Sequence, residues 1–213
     1  MLVALLAACG DDGNSVDAGP TSVTGELVDM ESTDTGFFCG IFGATVTVHG
    51  DSSQTEMTNP NGRIETLTIH DARAQLDITP PTAESECSQP KSTYTTPAIM
   101  IVDSTVAASG AMISARMFTM ADAANFGFDA SKAQVLVHVD GTPRAVSITG
   151  THDATQAFDG TQWAAGDTGA NVFFPNVDPG PGTTKVSMTG TSLGTGDVPI
   201  AAGTFTFLTI VGK

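Results

Sequence analysis

The chain has 213 residues, enough for one large or two small domains, and 8 basic against 23 acidic residues give a net charge of −15. The acids are spread along the chain and the basic residues do not cluster, so its surface repels phosphate groups and we expect no nucleic-acid partner. Only 15% of the residues are charged and 23 are glycine, a composition typical of β-strands joined by tight turns.

The first eight residues are apolar and end at a cysteine. The run is too short to span a bilayer, which takes about 20 apolar residues. Leu6-Ala7-Ala8-Cys9 resembles the bacterial lipobox, in which one aliphatic and two small residues precede the cysteine that receives the lipid. The alternative is a truncated helix or a cloning remnant with a chance cysteine. Because no Lys or Arg precedes the run, we expect the natural start to lie upstream of Met1.

The lipobox resemblance implies where the protein is located. Residues 1–8 would be a signal peptide and Cys9 the lipidated N-terminus of an exported, membrane-anchored bacterial lipoprotein. Its acidic surface is repelled by anionic head groups, so the acyl chains alone would hold it. We expect the outer membrane or the cell surface rather than the inner membrane. Residues 9–21 are acidic, small and turn-rich, which predicts a flexible tether.

Several short strands are predicted between residues 22 and 79. GATVTVHG places Ala44, Val46 and Val48 on one face, the alternation of a half-buried strand. SSQTEMT and RIETLTI flank NPNG, a strong turn signal, and AQLDIT precedes a double proline. This spacing is typical of an antiparallel β-sandwich.

The same stretch resembles the carboxypeptidase regulatory-like family over about 55 residues, from VTGELVD to RIETLTI. Family members begin with Gly-x-Val-x-Asp, continue with Gly-Ala-x-Val-x-Val and then form a Thr-Asp-x-x-Gly-x-Phe hairpin. The matching positions are Gly25, Gly43, Ala44, Val46, Val48, Thr58, Asn61 and Gly62. Asn59 and Ile64 depart from the pattern. The resemblance implies a prealbumin-like β-sandwich and says almost nothing about activity.

The middle of the chain is less regular. Four prolines in PPTAESECSQPKSTYTTP predict a long loop, pinned at Cys87. The apolar segment 98–118 is ambiguous between strand and helix. MADAANFG contains helix formers and ends at Gly127, which predicts one short helix.

A similar pattern then begins again, which indicates a diverged tandem repeat offset by a little over 100 residues. KAQVLVHVDG resembles the opening strand, PRAVSITG the second strand, and NVDPG the turn that precedes a later strand in the family. Ala145 then corresponds to Ala44 and Gly169 to Gly62. The sequence thus predicts an all-β fold with two tandem antiparallel β-sandwich domains, at residues 22–128 and 129–213, joined by the short helix. Each domain is expected to fold alone.

The cysteines are interpreted in the light of export. With Cys9 lipidated, Cys39 and Cys87 remain as a pair, and an oxidising compartment predicts a disulfide between them. The alternative is two free, buried thiols. Two cysteines this far apart in sequence do not predict a zinc site.

No motif of catalysis or cofactor binding is found in the sequence. The four histidines show neither His-x-x-Glu nor His-Glu-x-x-His spacing, and no Gly-x-Ser-x-Gly nucleophile or phosphate loop is present; the histidines are His49, His70, His138 and His152. Met112, Met117 and Met120 invite a copper hypothesis, but core filling is favoured. We therefore expect no enzyme activity, no metal and no cofactor.

The lone tryptophan is the remaining candidate for ligand binding. Trp163 lies between polar neighbours that include Asp159 and Gln162, an arrangement that suits stacking on a sugar ring. Packing in the core is the alternative, and the chain has only one tyrosine to extend a sugar platform. The sequence thus favours a non-catalytic structural or interaction module with an envelope protein or glycan as partner; the alternative is a carbohydrate-binding module centred on Trp163.

Overall fold

The structure is a computed structural model that describes residues 19–33, 36–190 and 192–213, so Cys9, the predicted signal peptide and most of the tether lie outside the described residues. The described chain is all-β with two short helices, which confirms the all-β class that the sequence predicts. The strands are β1 (Thr21–Asp29), β2 (Thr45–Val48), β3 (Asp51–Met57), β4 (Arg63–Ile69), β5 (Arg73–Thr79), β6 (Ala98–Asp103), β7 (Ile113–Met117), β8 (Ala133–Gly141), β9 (Val146–Ile148), β10 (Gln156–Phe158), β11 (Trp163–Ala165), β12 (Asn171–Val177), β13 (Thr183–Met188), β14 (Ser192–Leu193), β15 (Gly196–Pro199) and β16 (Phe205–Gly212); the helices are α1 (Ser104–Ala108) and α2 (Met120–Asn125).

One large sheet contains strands from both halves of the chain. Its order is β11-β10-β12-β8-β16-β6-β5-β2-β3, and β14 pairs with β16. The C-terminal strand β16 is parallel to β6 on one side and to β8 on the other. Residues 133–137 of β8 are all buried, as expected for a strand covered on both faces.

Two three-stranded sheets cover opposite faces of the large sheet. One has the order β4-β1-β7 and the other β15-β13-β9. Side chains alternate between the faces of a strand. In β8, Leu136 belongs to the hydrophobic core under β4-β1-β7, called the first core below, whereas Val135 and Val137 belong to the second core, under β15-β13-β9. The chain is therefore arranged in three layers around two cores.

The strand pairing of the first half recurs in the second. β1 pairs antiparallel with β4 and parallel with β7, just as β8 pairs antiparallel with β12 and parallel with β16. In the same way, β5 lies between β2 and β6, and β13 lies between β9 and β15, with all four pairings antiparallel. The parallel pairings depart from the purely antiparallel sheets that the sequence predicted.

The predicted boundary between residues 128 and 129 is crossed by the large sheet. Phe205 of β16 is paired with Ala98 of β6, and Phe207 with Met100. Phe205 and Phe207 also belong to the core that is built mainly from the first half of the chain. The sequence predicts that the two halves fold independently, whereas this pairing gives them a shared sheet and a shared core, from which we expect the isolated second half not to fold.

The ambiguous segment 98–118 resolves into β6, α1 and β7. The predicted short helix is confirmed as α2. Thr119 caps its N-terminus through a reciprocal pair of hydrogen bonds with Asp122. Gly127 follows the helix with a φ of +68°, a conformation that glycine adopts without a steric penalty.

Gly62 in the NPNG turn shows why the sequence signal is strong there. Its φ is +72°, and a Cβ atom would lie 2.2 Å from the carbonyl oxygen of Leu27. A glycine is therefore needed both for the turn and for the close approach of the β1 backbone.

Candidate functional site

A polar cavity of about 310 Å³ lies where the two halves of the chain meet. Leu27 of β1 and Ala115 of β7 point into the first core, so their neighbours Glu26, Ser114 and Arg116 lie on the opposite face of that sheet. These side chains form one wall of the cavity. The other wall and the mouth are lined by His138, Ala170, Asn171, Ser32, Thr33, Gly36 and Phe38.

Arg116 joins the two walls. It is only 5% exposed, and its guanidinium carbon lies 4.0 Å from the centroid of the Phe158 ring on β10. The guanidinium also donates a hydrogen bond to the carbonyl oxygen of Ser32. A cation over an aromatic face is attracted by the ring quadrupole, and the attraction is larger when water is excluded. Arg116 therefore fixes β7 against the β10–β12 region and lines the cavity between them.

His138 and Asn171 form a polar pair on the opposite wall. The Nδ1 atom of His138 lies 3.2 Å from Oδ1 of Asn171. Burial, which opposes the charged form, lowers the pKa of His138, and the hydrogen bond to Asn171 offsets this only in part. The imidazole is therefore neutral at pH 7, and Nδ1 carries the proton that Asn171 accepts.

We predict that His138 makes stability depend on pH on the acid side of neutrality. Its pKa is lower in the folded chain than in the unfolded chain, where it is about 6.5. Below about pH 6.5 the unfolded state binds more protons, so the free energy of unfolding falls as the pH falls towards the lowered pKa. Chemical denaturation between pH 7.5 and 5 should show a smaller decrease for His138→Gln than for the wild type. The same substitution at the exposed His49 is the control, and an equal decrease in wild type and His138→Gln would contradict the prediction.

Trp163 lies in an aromatic cluster. Its ring centroid is 5.3 Å from that of Phe158, 6.0 Å from that of Phe118 and 6.4 Å from that of Phe173. The indole ring is half-buried against the first core, and its Nε1 atom is buried without a hydrogen-bond partner among the described residues. The indole ring thus packs against phenylalanine rings of the core, as the packing alternative for Trp163 expects.

The predicted neighbours of Trp163 have different roles. Oδ1 of Asp159 accepts hydrogen bonds from the backbone N–H groups of Thr161 and Gln162, so Asp159 closes the turn between β10 and β11. Gln162 is exposed and lines a second cavity, of about 260 Å³, together with Trp163, Glu31 and Thr33. Thr33 also lines the first cavity, so the two cavities are neighbours.

The predicted disulfide is confirmed: Cys39 and Cys87 are bonded, with Cα atoms 6.4 Å apart. The bond holds the loop between β1 and β2 against the proline-rich segment. Three large side chains of this loop are exposed, namely Phe37, Phe38 and Phe42.

Sequence reasoning missed the acidic residue beside the disulfide. Asp29 is the last residue of β1 and is fully buried. Its Oδ2 atom accepts hydrogen bonds from Ser85 Oγ at 2.6 Å and from Tyr94 OH at 2.9 Å. Burial is the largest cause that raises the pKa of Tyr94, so the phenol stays protonated and donates to Asp29. The only available signal was an Asp at the end of an alternating strand, which sequence cannot distinguish from a surface position.

We predict that removal of the disulfide lowers stability strongly. The bond closes a loop over a sequence separation of 48, and chain entropy alone gives about 4 kcal/mol for a loop of this size. Urea unfolding of Cys39→Ser/Cys87→Ser should show a decrease of that order, and digestion without reductant should yield a peptide that joins Cys39 to Cys87. Cys9→Ser is the control. Equal stability of the double variant and the control would contradict the prediction.

The other candidate residues are separate from these cavities. His49 Nδ1 lies 2.8 Å from Oδ2 of Asp77 at the surface, and His152 Nδ1 lies 2.7 Å from the carbonyl oxygen of Asp153. Met117 fills the first core as predicted, whereas Met120 is 55% exposed, so core filling does not account for it.

In the part of the chain that the structure describes, no helix is both long enough and apolar enough to cross a membrane. A scan against protein-family models finds no match, and neither a search of curated proteins nor a search of solved structures finds a similar protein.

Proposed function

We propose that this chain is a lipid-anchored protein of the bacterial cell envelope that acts as a non-catalytic interaction module. Its body would be two prealbumin-like β-sandwiches in tandem, related to the carboxypeptidase regulatory-like family. The recurrence of the strand pairing supports the tandem sandwiches, because β4-β1-β7 with β2-β5-β6 corresponds to β12-β8-β16 with β9-β13-β15. The lipobox resemblance at Cys9 supports the anchor.

The polar cavity between the halves is the observation that carries the interaction role. Cavities at domain junctions are common binding sites, and this one combines the buried polar residues Arg116 and Asn171 with the exposed Phe38 at its mouth. His138 is held by Asn171, and among the described hydrogen bonds no hydroxyl group bonds to its ring.

A photo-crosslinking side chain in native cells tests the interaction role. Placed at the half-buried Thr33 in the mouth of the cavity, it should give a discrete adduct with an envelope component. The matched control position is Ser53, which is exposed on the edge strand β3. Equal adducts from both positions, or none from Thr33, would count against the proposed site.

The anchor is tested separately. Cys9→Ser should abolish incorporation of labelled fatty acid and release the protein from the membrane, because several acyl chains hold a protein firmly and none remain in the variant. Ser15→Ala, in the predicted tether, should behave as the wild type. Membrane retention of Cys9→Ser would exclude the lipobox interpretation.

A carbohydrate-binding role centred on Trp163 is the second candidate. The observation that favours it is the cavity shared by Trp163 and Gln162, together with the indole Nε1 atom, which has no hydrogen-bond partner among the described residues. A glycan array should then show binding by the wild type that is lost in Trp163→Ala. Since Trp163 also packs in the aromatic cluster, Trp163→Phe is needed as a variant that keeps an aromatic ring. Loss in Trp163→Ala with retained binding in Trp163→Phe, both variants being folded, supports sugar stacking, and the absence of any glycan signal contradicts it.

A further inference from the structure

We propose that the dithiol form of this protein binds Zn²⁺ through Cys39, Cys87 and Asp29. One ligand atom from each of these residues lies within 4.8 Å of the other two, and this is the sole group of potential metal ligands of its kind among the described residues. Two thiolates and a carboxylate are a donor set that Zn²⁺ accepts in tetrahedral sites. A solvent molecule would occupy the fourth position.

The separations suit a metal once the disulfide is open. Zn–S bonds of about 2.3 Å at the tetrahedral angle place the two sulfur atoms about 3.8 Å apart. The backbone already holds the Cα atoms 6.4 Å apart, so the thiolates reach this separation by side-chain rotation. Because both cysteines are partially exposed, rotation of their side chains leaves the packing of the core unchanged.

The carboxylate of Asp29 is held in place by hydrogen bonds to both of its oxygens. Its Oδ2 atom accepts from Ser85 and Tyr94, and its Oδ1 atom accepts from the backbone N–H of Glu31 at 2.9 Å. Each carboxylate oxygen has two lone pairs, so Oδ1 keeps one for a metal. Outer hydrogen bonds of this kind fix a ligand and raise metal affinity.

The charges and the access path also fit. Zinc binding replaces the two thiol protons, and the divalent cation then offsets two of the three negative charges of the two thiolates and the buried carboxylate. A groove of about 200 Å³ lined by Cys39, Cys87, Ser85 and Tyr94 gives an ion a path from solvent. The zinc bridge would then hold the β1–β2 loop against the proline-rich segment in place of the disulfide.

The chemical balance is simple. A phosphine reductant takes the oxygen of one water molecule, becomes the phosphine oxide and supplies two electrons to the S–S bond, while the two hydrogens of that water give two thiols. Zinc binding then releases both thiol protons and forms two Zn–S bonds and one Zn–O bond. In the disulfide form neither sulfur is a thiolate, so the site is absent.

Zinc titration of the full chain tests the proposal. In a Cys9→Ser background the only thiols are Cys39 and Cys87. After phosphine reduction, competition with a chromophoric chelator should show one Zn²⁺ per chain, and cobalt should give the intense visible bands of a tetrahedral thiolate site. Asp29→Asn should weaken binding by at least about tenfold, since a ligand is lost. Asp77→Asn, at an exposed carboxylate, should bind as tightly as its parent.

Three outcomes would overturn the proposal. These are no stoichiometric zinc in the reduced chain, equal zinc binding by the oxidised chain, or equal affinity in Asp29→Asn and Asp77→Asn. If reduction unfolds the chain, zinc should restore its far-ultraviolet circular dichroism, because metal binding is coupled to folding; failure to restore it also counts against the site. None of these results depends on the lipid anchor or the polar cavity.

Discussion

A fragment that starts at Asp129 should be insoluble or molten, although it contains β8 to β16. In the whole protein, β16 is parallel to β6, so the fragment would expose one edge of β16. It would also expose Leu136, Phe173 and Phe207, which are fully buried in the first core. An unpaired strand edge beside exposed aromatic side chains promotes aggregation.

The control for the isolated fragment is the full chain, cleaved at the same position after it has folded. A protease site inserted at the exposed residues Ala130–Ser131 of the full chain should leave the two pieces associated after cleavage. Size-exclusion chromatography and circular dichroism compare the cleaved protein with the isolated fragment. A soluble fragment that unfolds cooperatively would support the independent domains that the repeat predicts, and would contradict the shared core.

Phe118→Ala should lower the free energy of unfolding by about 3–5 kcal/mol, the range for large aromatic truncations in a core. Phe118 is fully buried at the centre of the aromatic cluster. Its ring centroid lies 4.9 Å from that of Phe173 and 5.6 Å from that of Phe205, both from the second half of the chain. The substitution therefore leaves a cavity between the halves as well as within the first.

Urea denaturation measures the free energy of unfolding of Phe118→Ala and of the control variant Phe42→Ala. Phe42 is 61% exposed, so its truncation should change stability by less than about 0.5 kcal/mol. Similar losses in the two variants would mean that the cluster around Phe118 contributes little to folding.

Local patterns allowed the antiparallel elements to be predicted. The alternation of Val46 and Val48 identified β2, and the NPNG turn located the β3–β4 connection. Gly127 identified the end of α2, and export predicted the Cys39–Cys87 bond. For the strand, the turn and the helix end, the residues that carry the sequence signal lie within a few residues of the element they predict. For the disulfide, only one pair of cysteines remains if Cys9 is lipidated.

The strand pairing that connects the two halves could not be predicted from local patterns. The parallel partners of β16 lie far from it in sequence, and a strand buried on both faces has the continuous apolar run that also fits a helix. The polar cavity has the same origin, because Glu26, Arg116 and His138 come from three strands that only the tertiary fold brings together. Burial of Arg116 and Asp29 depends on partners in other segments, which the spacing of a single sequence does not reveal.

Residue-resolved amide hydrogen exchange in the full chain tests the union of the two halves most directly. The backbone N–H of Phe205 points to β6 and donates to the carbonyl oxygen of Pro97. If the halves form one body, this amide and the amides of β16 that point to β8 should exchange equally slowly, through global unfolding. Fast exchange at Phe205 beside slow exchange of the β8-facing amides would show that β16 is an edge strand, and would contradict the shared sheet.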